Sequence, residues 1–239
     1  MSILDNMRFV VINMDKDKAR LEEFTKMMDA QGLPFERHVG PLIESKNVSI
    51  LDTTFNVYAR GYVGVAMAHL TLWEDIAHRN DEYYYIVFED DEIIRENYKN
   101  NILSELKKVT EEFDFFNLNV MRPLGTEIYS GILKVTHKKY GKKTPNIWLS
   151  NYIITSRGAR KILSYLKKDI KSLNRNFDSL FVHVLHKYCD EINTLILKDR
   201  EKYSIHDEAI SVKKDINNSN AFFNVVSAIK RIASKLITN

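Results

Sequence analysis

The 239-residue chain is 44% hydrophobic and 28% charged, which fits one globular domain with a small appendage and excludes general disorder. Thirty-five basic residues against 32 acidic ones leave a net charge of +3, too balanced for a surface built to bind nucleic acid. One cysteine, Cys189, precludes an internal disulfide and favours a cytoplasmic home.

Met1 to Met7 carries Asp5 and no apolar stretch of signal-peptide length. Nowhere does the chain approach the roughly 20 apolar residues of a spanning helix. The expectation is a protein neither exported by a classical signal nor integral to a membrane. Arg8 to Met14, RFVVINM, is a β-branched run suited to a buried strand. Asp15 to Asp17 can cap a helix in which Ala19, Leu21, Phe24, Met27 and Met28 recur at helical spacing, with Gly32 as the stop. Pro34 to Val39 reads as a short strand, and residues 40 to 60 as a loop.

Tyr62 to Arg79 reads as a helix with Val65, Ala66, His69, Leu70, Trp73, Ile76 and Ala77 along one side. Tyr83 to Phe88 is a strand, followed by a helix carrying Ile102, Leu103, Leu106 and Val109. Phe113 to Val120 is a further strand, and a hairpin is expected around Ile132 to Thr136. Ile147 to Thr155 is a strand, with Ser156 capping the helix that begins at Arg157. Phe177 to Tyr188 reads as helix and Thr194 to Lys198 as strand. Alternation of this kind predicts an α/β sandwich with a mainly parallel sheet. Ligands of such sheets bind beyond the C-terminal strand ends, where Asn13 to Asp15 and Glu89 to Asp91 lie.

The strongest local signal is IVFEDDE, Ile86 to Glu92, a buried strand ending in four consecutive carboxylates. Like charges repel, so such a cluster needs water or a cation to compensate it. A hard divalent ion, Mn²⁺ or Mg²⁺, takes one or two carboxylates and completes its shell with waters and ligand phosphates, which suits a nucleotide diphosphate. Glu89 and Asp91 would point to one side of an extended strand and Asp90 to the other. Asp91, furthest into the loop among the aspartates, is the preferred direct ligand. The plainer alternative is the solvated first turn of a helix.

Four segments in this order, RFVVINMDKDKAR (8–20), GYVGVAMAHLTLW (61–73), YIVFEDD (85–91) and NYIITSRGARKIL (151–163), resemble glycosyltransferase family 25. Bacterial members of that family build lipooligosaccharide and lipopolysaccharide outer cores, several as β-galactosyltransferases. The resemblance spans roughly residues 8 to 165 and implies a GT-A-like, Rossmann-type fold, a UDP-sugar donor and a divalent metal, commonly Mn²⁺. Ala68 stands where the family often has Ser before His69, and the last third of the chain matches poorly.

On that resemblance Asn13 and Asp15 would meet the nucleotide base and ribose, and Arg20 the diphosphate through its planar fork. Gly61, Gly64 and His69 would line the donor site, glycine allowing close approach and the helix N-terminus favouring phosphate. Trp73 reads as core. Asn117, with Asn119, could hydrogen-bond sugar hydroxyls. Asp178 matches an acidic position of the family and is the candidate base that takes the acceptor proton, an N-cap role being the alternative. His206, in YSIHDE, is a candidate further metal ligand beside Glu89, Asp90 and Asp91.

In the tail, Phe222, Val225, Val226, Ile229, Ile232, Ala233, Leu236 and Ile237 share one helical face, with Lys230, Arg231 and Lys235 largely off it. Such a basic amphipathic helix can lie in a membrane interface or pack on a second subunit as a homodimer. The expected division is a transferase domain over residues 1–216 and a linker with tail helix over 217–239. The expected function is metal-dependent, inverting transfer of a hexose, galactose from UDP-galactose, onto a lipid-linked saccharide at the cytoplasmic face of the inner membrane. Two rivals use the same features: a metal-dependent nucleotidyl- or phosphotransferase, and a non-catalytic membrane-docking adaptor on a degenerate transferase fold.

Overall fold

A computed structural model describes residues 6–43, 47–50, 53–56, 60–137, 144–169, 177–199 and 201–206, with the backbone alone for 47–50, 53–56, 60–62, 177–179 and 206. Met1–Ile205 forms one compact unit. The second unit is His206–Asn239. The expected domain boundary, the tail helix and the side chains of Asp178 and His206 all lie outside the described residues.

In chain order the elements are β1 (Met7–Asn13), α1 (Lys18–Ala30), β2 (Phe35–Val39), β3 (Asn47–Ile50), β4 (Thr53–Asn56), α2 (Arg60–Arg79), β5 (Tyr84–Glu89), β6 (Glu92–Ile94), α3 (Tyr98–Leu106), β7 (Phe115–Asn117), β8 (Thr126–Tyr129), β9 (Ile132–Lys134), β10 (Asn151–Thr155), α4 (Ser156–Asp169), α5 (Phe177–Lys187), β11 (Thr194–Leu197) and β12 (Ser204–His206). The main sheet has eight strands in the order β2-β1-β5-β10-β7-β11-β9-β8. Strands β2, β1, β5, β7, β11 and β8 run one way, while β10 and β9 run against them. The chain therefore adopts the expected α/β sandwich with a mostly parallel sheet.

Alternation along the central strands divides the core in two. Val10, Ile12, Tyr85, Val87, Tyr152 and Ile154 face one layer, packed with Trp73 and Ile76 of α2, Ile162 of α4 and Phe181 of α5. Phe9, Val11, Ile86, Phe88 and Ile153 face the other, with Phe24 of α1 and Ile102 of α3. Burial on both faces is why β1, β5 and β10 are apolar throughout their middles rather than alternating with polar residues.

Several local expectations need correction. The segment expected as loop carries the antiparallel β3–β4 hairpin. The strand expected over Phe113 to Val120 is ordered as β only from Phe115 to Asn117: Leu118 still donates to the Asn151 carbonyl of β10, but the Asn119 N–H turns back to Asn117 Oδ1. The carboxylate run starts no helix: Asp90 and Asp91 form a turn between β5 and β6. Ser156 does not cap α4. Its hydroxyl donates to Asp81, and Thr155 Oγ1 accepts the Gly158 N–H instead. Gly158 is required there, since a Cβ would lie 1.9 Å from the Asp114 carbonyl oxygen.

Candidate donor site

Parallel β1 and β5 place Asn13 and Glu89 at neighbouring C-terminal ends, with Ile12 paired to Glu89. The β5–β6 turn then folds Asp90 back over the start of α1. Asn13 Nδ2 donates to Asp90 Oδ2 at 2.5 Å and to the Asp17 carbonyl at 3.1 Å. Arg20, in the first turn of α1, donates through Nη1 to Asp90 at 3.0 Å and reaches Asp91 at 3.5 Å. Two segments about 70 residues apart in sequence thus meet at one sheet edge.

The electrostatics follow from burial. Burial pushes the Asp90 carboxyl above its ordinary value, and Asn13 and Arg20 draw it only partly back. Burial disfavours the Arg20 charge, yet Asp90 and then Asp91 more than offset that and hold the guanidinium above its ordinary value. Arg20 Nε is buried with no hydrogen-bond partner among the described residues. A guanidinium held against two carboxylates can donate through its remaining N–H groups to a further anionic oxygen.

A second chain of contacts descends from Glu89 into the core. His69 Nε2 lies 3.1 Å from Glu89 Oε1, and His69 Nδ1 lies 3.0 Å from the Tyr152 hydroxyl. Trp73 Nε1 donates to that same hydroxyl at 2.8 Å. With the indole N–H aimed at the oxygen, the phenolic hydrogen turns to Nδ1. The imidazole proton then sits on Nε2 and is donated to Glu89. Trp73 and Tyr152 are fully buried, so they fix the ring in its orientation. Burial raises the Tyr152 phenol well above its ordinary value, which keeps it a donor.

The other expected residues are placed as follows. Asp15 is exposed and pairs with Arg37 Nη2 at 2.8 Å, while Arg37 Nε donates to Asn13 Oδ1 at 3.0 Å. Gly61 and Gly64 lie inside the first turns of α2, which begins at Arg60. Among the described residues, a Cβ at Gly64 would meet only Ile43, at 3.9 Å. Asn117 ends β7 and donates to the Trp148 carbonyl at 2.7 Å, while its Oδ1 accepts the Asn119 N–H. A Cβ at Gly40 would meet Ala68 Cβ at 3.5 Å, an ordinary van der Waals contact.

Sequence reasoning missed Arg37 and Tyr152. Arg37 sits on β2, where nothing local distinguishes it from an exposed strand arginine. Tyr152 lies within a quoted motif, but its partners come from other elements. Glu92 is fully buried beneath the turn, 3.4 Å from Asn119 Nδ2 through both carboxylate oxygens.

A divalent ion at the turn is compatible with these residues, within limits. Asp90 is committed to Asn13 and Arg20, and Glu89 to His69. Glu89, Asp90 and Asp91 do not form a ready-made cage. One or two carboxylates with ligand phosphates are what Mg²⁺ or Mn²⁺ needs, and the turn offers that many.

Residues 6–181 match the family described as Glycosyltransferase family 25 (LPS biosynthesis protein). Two curated relatives are named as putative glycosyltransferases. One, from Haemophilus influenzae, is 26% identical over 195 residues, covering 74% of this chain and 63% of its own length. The other, from Acanthamoeba polyphaga mimivirus, is 24% identical over 156 residues, covering 54% of this chain and 48% of its own length. The chain thus spans less than two thirds of either relative. Among solved structures, UDP-glucose pyrophosphorylase complexed with UDP-glucose superposes with a TM-score of 0.46 at 13% identity, covering 91% of this chain and 81% of that one. A glycosyltransferase involved in glycosylation of the major capsid of PBCV-1 gives 0.43 at 9% identity, with 82% of each chain covered. At that level of likeness neither bears on activity. With well over half of its length matched by the family, the chain belongs to glycosyltransferase family 25.

Proposed function

We propose that the protein is a nucleotide-sugar-dependent glycosyltransferase that moves a hexose, galactose from UDP-galactose, onto a lipooligosaccharide or lipopolysaccharide saccharide. The observation that carries this reading is the meeting of Asn13, Arg20, Glu89, Asp90 and Asp91 at one C-terminal sheet edge, where ligands of mostly parallel sheets bind. The family description, with its reference to LPS biosynthesis, supports the acceptor class.

In this reading Arg20 binds the diphosphate through its planar fork, and Asn13 and Asp15 hold the base and ribose. His69, fixed by Tyr152 and Trp73, orients Glu89 towards the donor. Asp91, with Glu89 or Asp90, would hold a divalent ion. That ion, Mn²⁺ or Mg²⁺, would supply neutralisation of the charge left on the departing diphosphate. The acceptor hydroxyl attacks the anomeric carbon opposite the C–O bond to the diphosphate. That bond breaks, the configuration inverts and Asp178 takes the hydroxyl proton. Location at the cytoplasmic face of the inner membrane through residues 221–239 belongs to the same proposal. Among the described residues no helix is long and apolar enough to cross a membrane.

The test is calorimetric titration of a UDP-sugar panel, with and without Mn²⁺, on wild type and Asp91→Ala. Metal-dependent binding of UDP-galactose that the substitution abolishes is the expected result. Failure of every UDP-sugar to bind would overturn the donor assignment.

A further inference from the structure

At the opposite edge of the sheet, three side chains of different chemistry converge where no role has been assigned. His137 follows β9, and Cys189 and Asp190 lie in the turn after α5. His137 Nε2 is 2.8 Å from Asp190 Oδ2, and one ligand atom from each of the three lies within 4.8 Å of the others. Among the described residues this is the one group of three metal-ligating side chains gathered so closely.

We propose that His137, Cys189 and Asp190 form a zinc site that clips the exit of β9 to the turn between α5 and β11. A nitrogen, a thiolate sulfur and a carboxylate oxygen suit a borderline-soft d¹⁰ ion, whereas Mg²⁺ and Ca²⁺ select oxygen alone. Tetrahedral bonds to zinc would set the nitrogen and oxygen about 3.4 Å apart and the sulfur about 3.5 Å from each. The 2.8 Å contact of His137 with Asp190 needs only a small opening to reach that. The histidine and aspartate are exposed, so an ion can enter, and the thiol lies buried beneath them. Asp190 holds the His137 imidazole above its ordinary value, and burial does the same for the Cys189 thiol. The Cys189 proton leaves when the ion binds, His137 ligates as the neutral imidazole, and a water takes the fourth position.

The backbone ties the two segments already: the Val135 N–H donates to the Thr194 carbonyl, at the first residue of β11. The site lies across the sheet from the acidic turn, so it is structural rather than catalytic.

The chain has one cysteine, which makes the test specific. Purified full-length protein is stripped with chelator and titrated with Co²⁺, then with Zn²⁺ in competition. A thiolate-to-cobalt charge-transfer band at one equivalent, displaced by Zn²⁺, can arise only from Cys189. It should persist in Asp91→Ala and vanish in Cys189→Ser. His137→Ala, a surface change that leaves the core untouched, should weaken Zn²⁺ binding by more than the roughly 10–100-fold lost when only a hydrogen-bond partner of a ligand is removed. Zn²⁺ should raise the unfolding temperature of wild type and not of His137→Ala. Absence of the band, or a band unaltered in both His137→Ala and Asp190→Asn, would overturn the site. Neither result bears on UDP-sugar binding, so the site and the proposed function fail independently.

Discussion

Replacing Tyr152 with Phe removes one oxygen from the centre of the relay and changes little else in shape. Trp73 Nε1, 2.8 Å away, loses its acceptor, and His69 Nδ1, 3.0 Å away, loses its donor. Both partners are buried, with Trp73 at 0% and His69 at 1% exposure. Each of these two buried hydrogen bonds costs about 1–3 kcal/mol to remove, so the expected destabilisation is roughly 2–6 kcal/mol. For a domain of this size that corresponds to roughly 4–24 °C in unfolding temperature. Urea denaturation monitored by tryptophan fluorescence measures it. Trp73→Phe in the Tyr152→Phe background should then cost at least about 1 kcal/mol less than in wild type, because its partner is already gone. A Tyr152→Phe loss under about 0.5 kcal/mol, the range of surface substitutions, would refute the claim that this hydroxyl holds the relay together. Additive losses in the pair would refute it equally.

Gly158→Ala sets a methyl 1.9 Å from the Asp114 carbonyl, so α4 must shift. It should lose about 1–3 kcal/mol in the same denaturation assay, as overpacked cores do. The shift would also loosen the hold of Arg157 and Lys161 on the buried Asp114 carboxylate. Arg20→Lys keeps the charge and loses the planar fork, so UDP-sugar affinity should fall by about 5–30-fold by calorimetry, roughly 1–2 kcal/mol. His38 is held below its ordinary value of 6.5, chiefly by burial and against the pull of Asp75. A group depressed in the fold contributes stability that is present above 6.5 and lost as the pH falls through its lowered value. Thermal unfolding across that window should fall with pH in wild type, and fall less in His38→Gln.

Much of the fold was legible because long, doubly buried elements carry unmistakable patterns. Apolar runs marked β1, β5 and β10, and helical spacing around Trp73 marked α2. Short or edge elements were not legible: β3 and β4 are polar enough to read as loop, and β7 ends three residues earlier than its apolar run. The cap of α4 was assigned one residue late because Ser and Thr are equivalent to the eye, and only Asp81 decides which hydroxyl is engaged elsewhere.

For the site, the sequence by itself determined the kinds of group and their strand-end placement. The run EDD after an apolar strand, NMD after another and AH on a helix sufficed to point to one sheet edge. Only the tertiary structure decided who touches whom. That Asp90 takes Arg20 and Asn13, that Glu89 takes His69, and that Tyr152 joins His69 to Trp73 depend on the β1–β5–β10 order, in which β10 runs antiparallel. Strand order is set by the cost of burying both faces of every central strand, a sum over the whole core, and no local window contains it. The gathering of His137 with Cys189 and Asp190 has the same origin. Cys189 lies 52 positions beyond His137 in the sequence, and the pairing of β9 with β11 closes that distance.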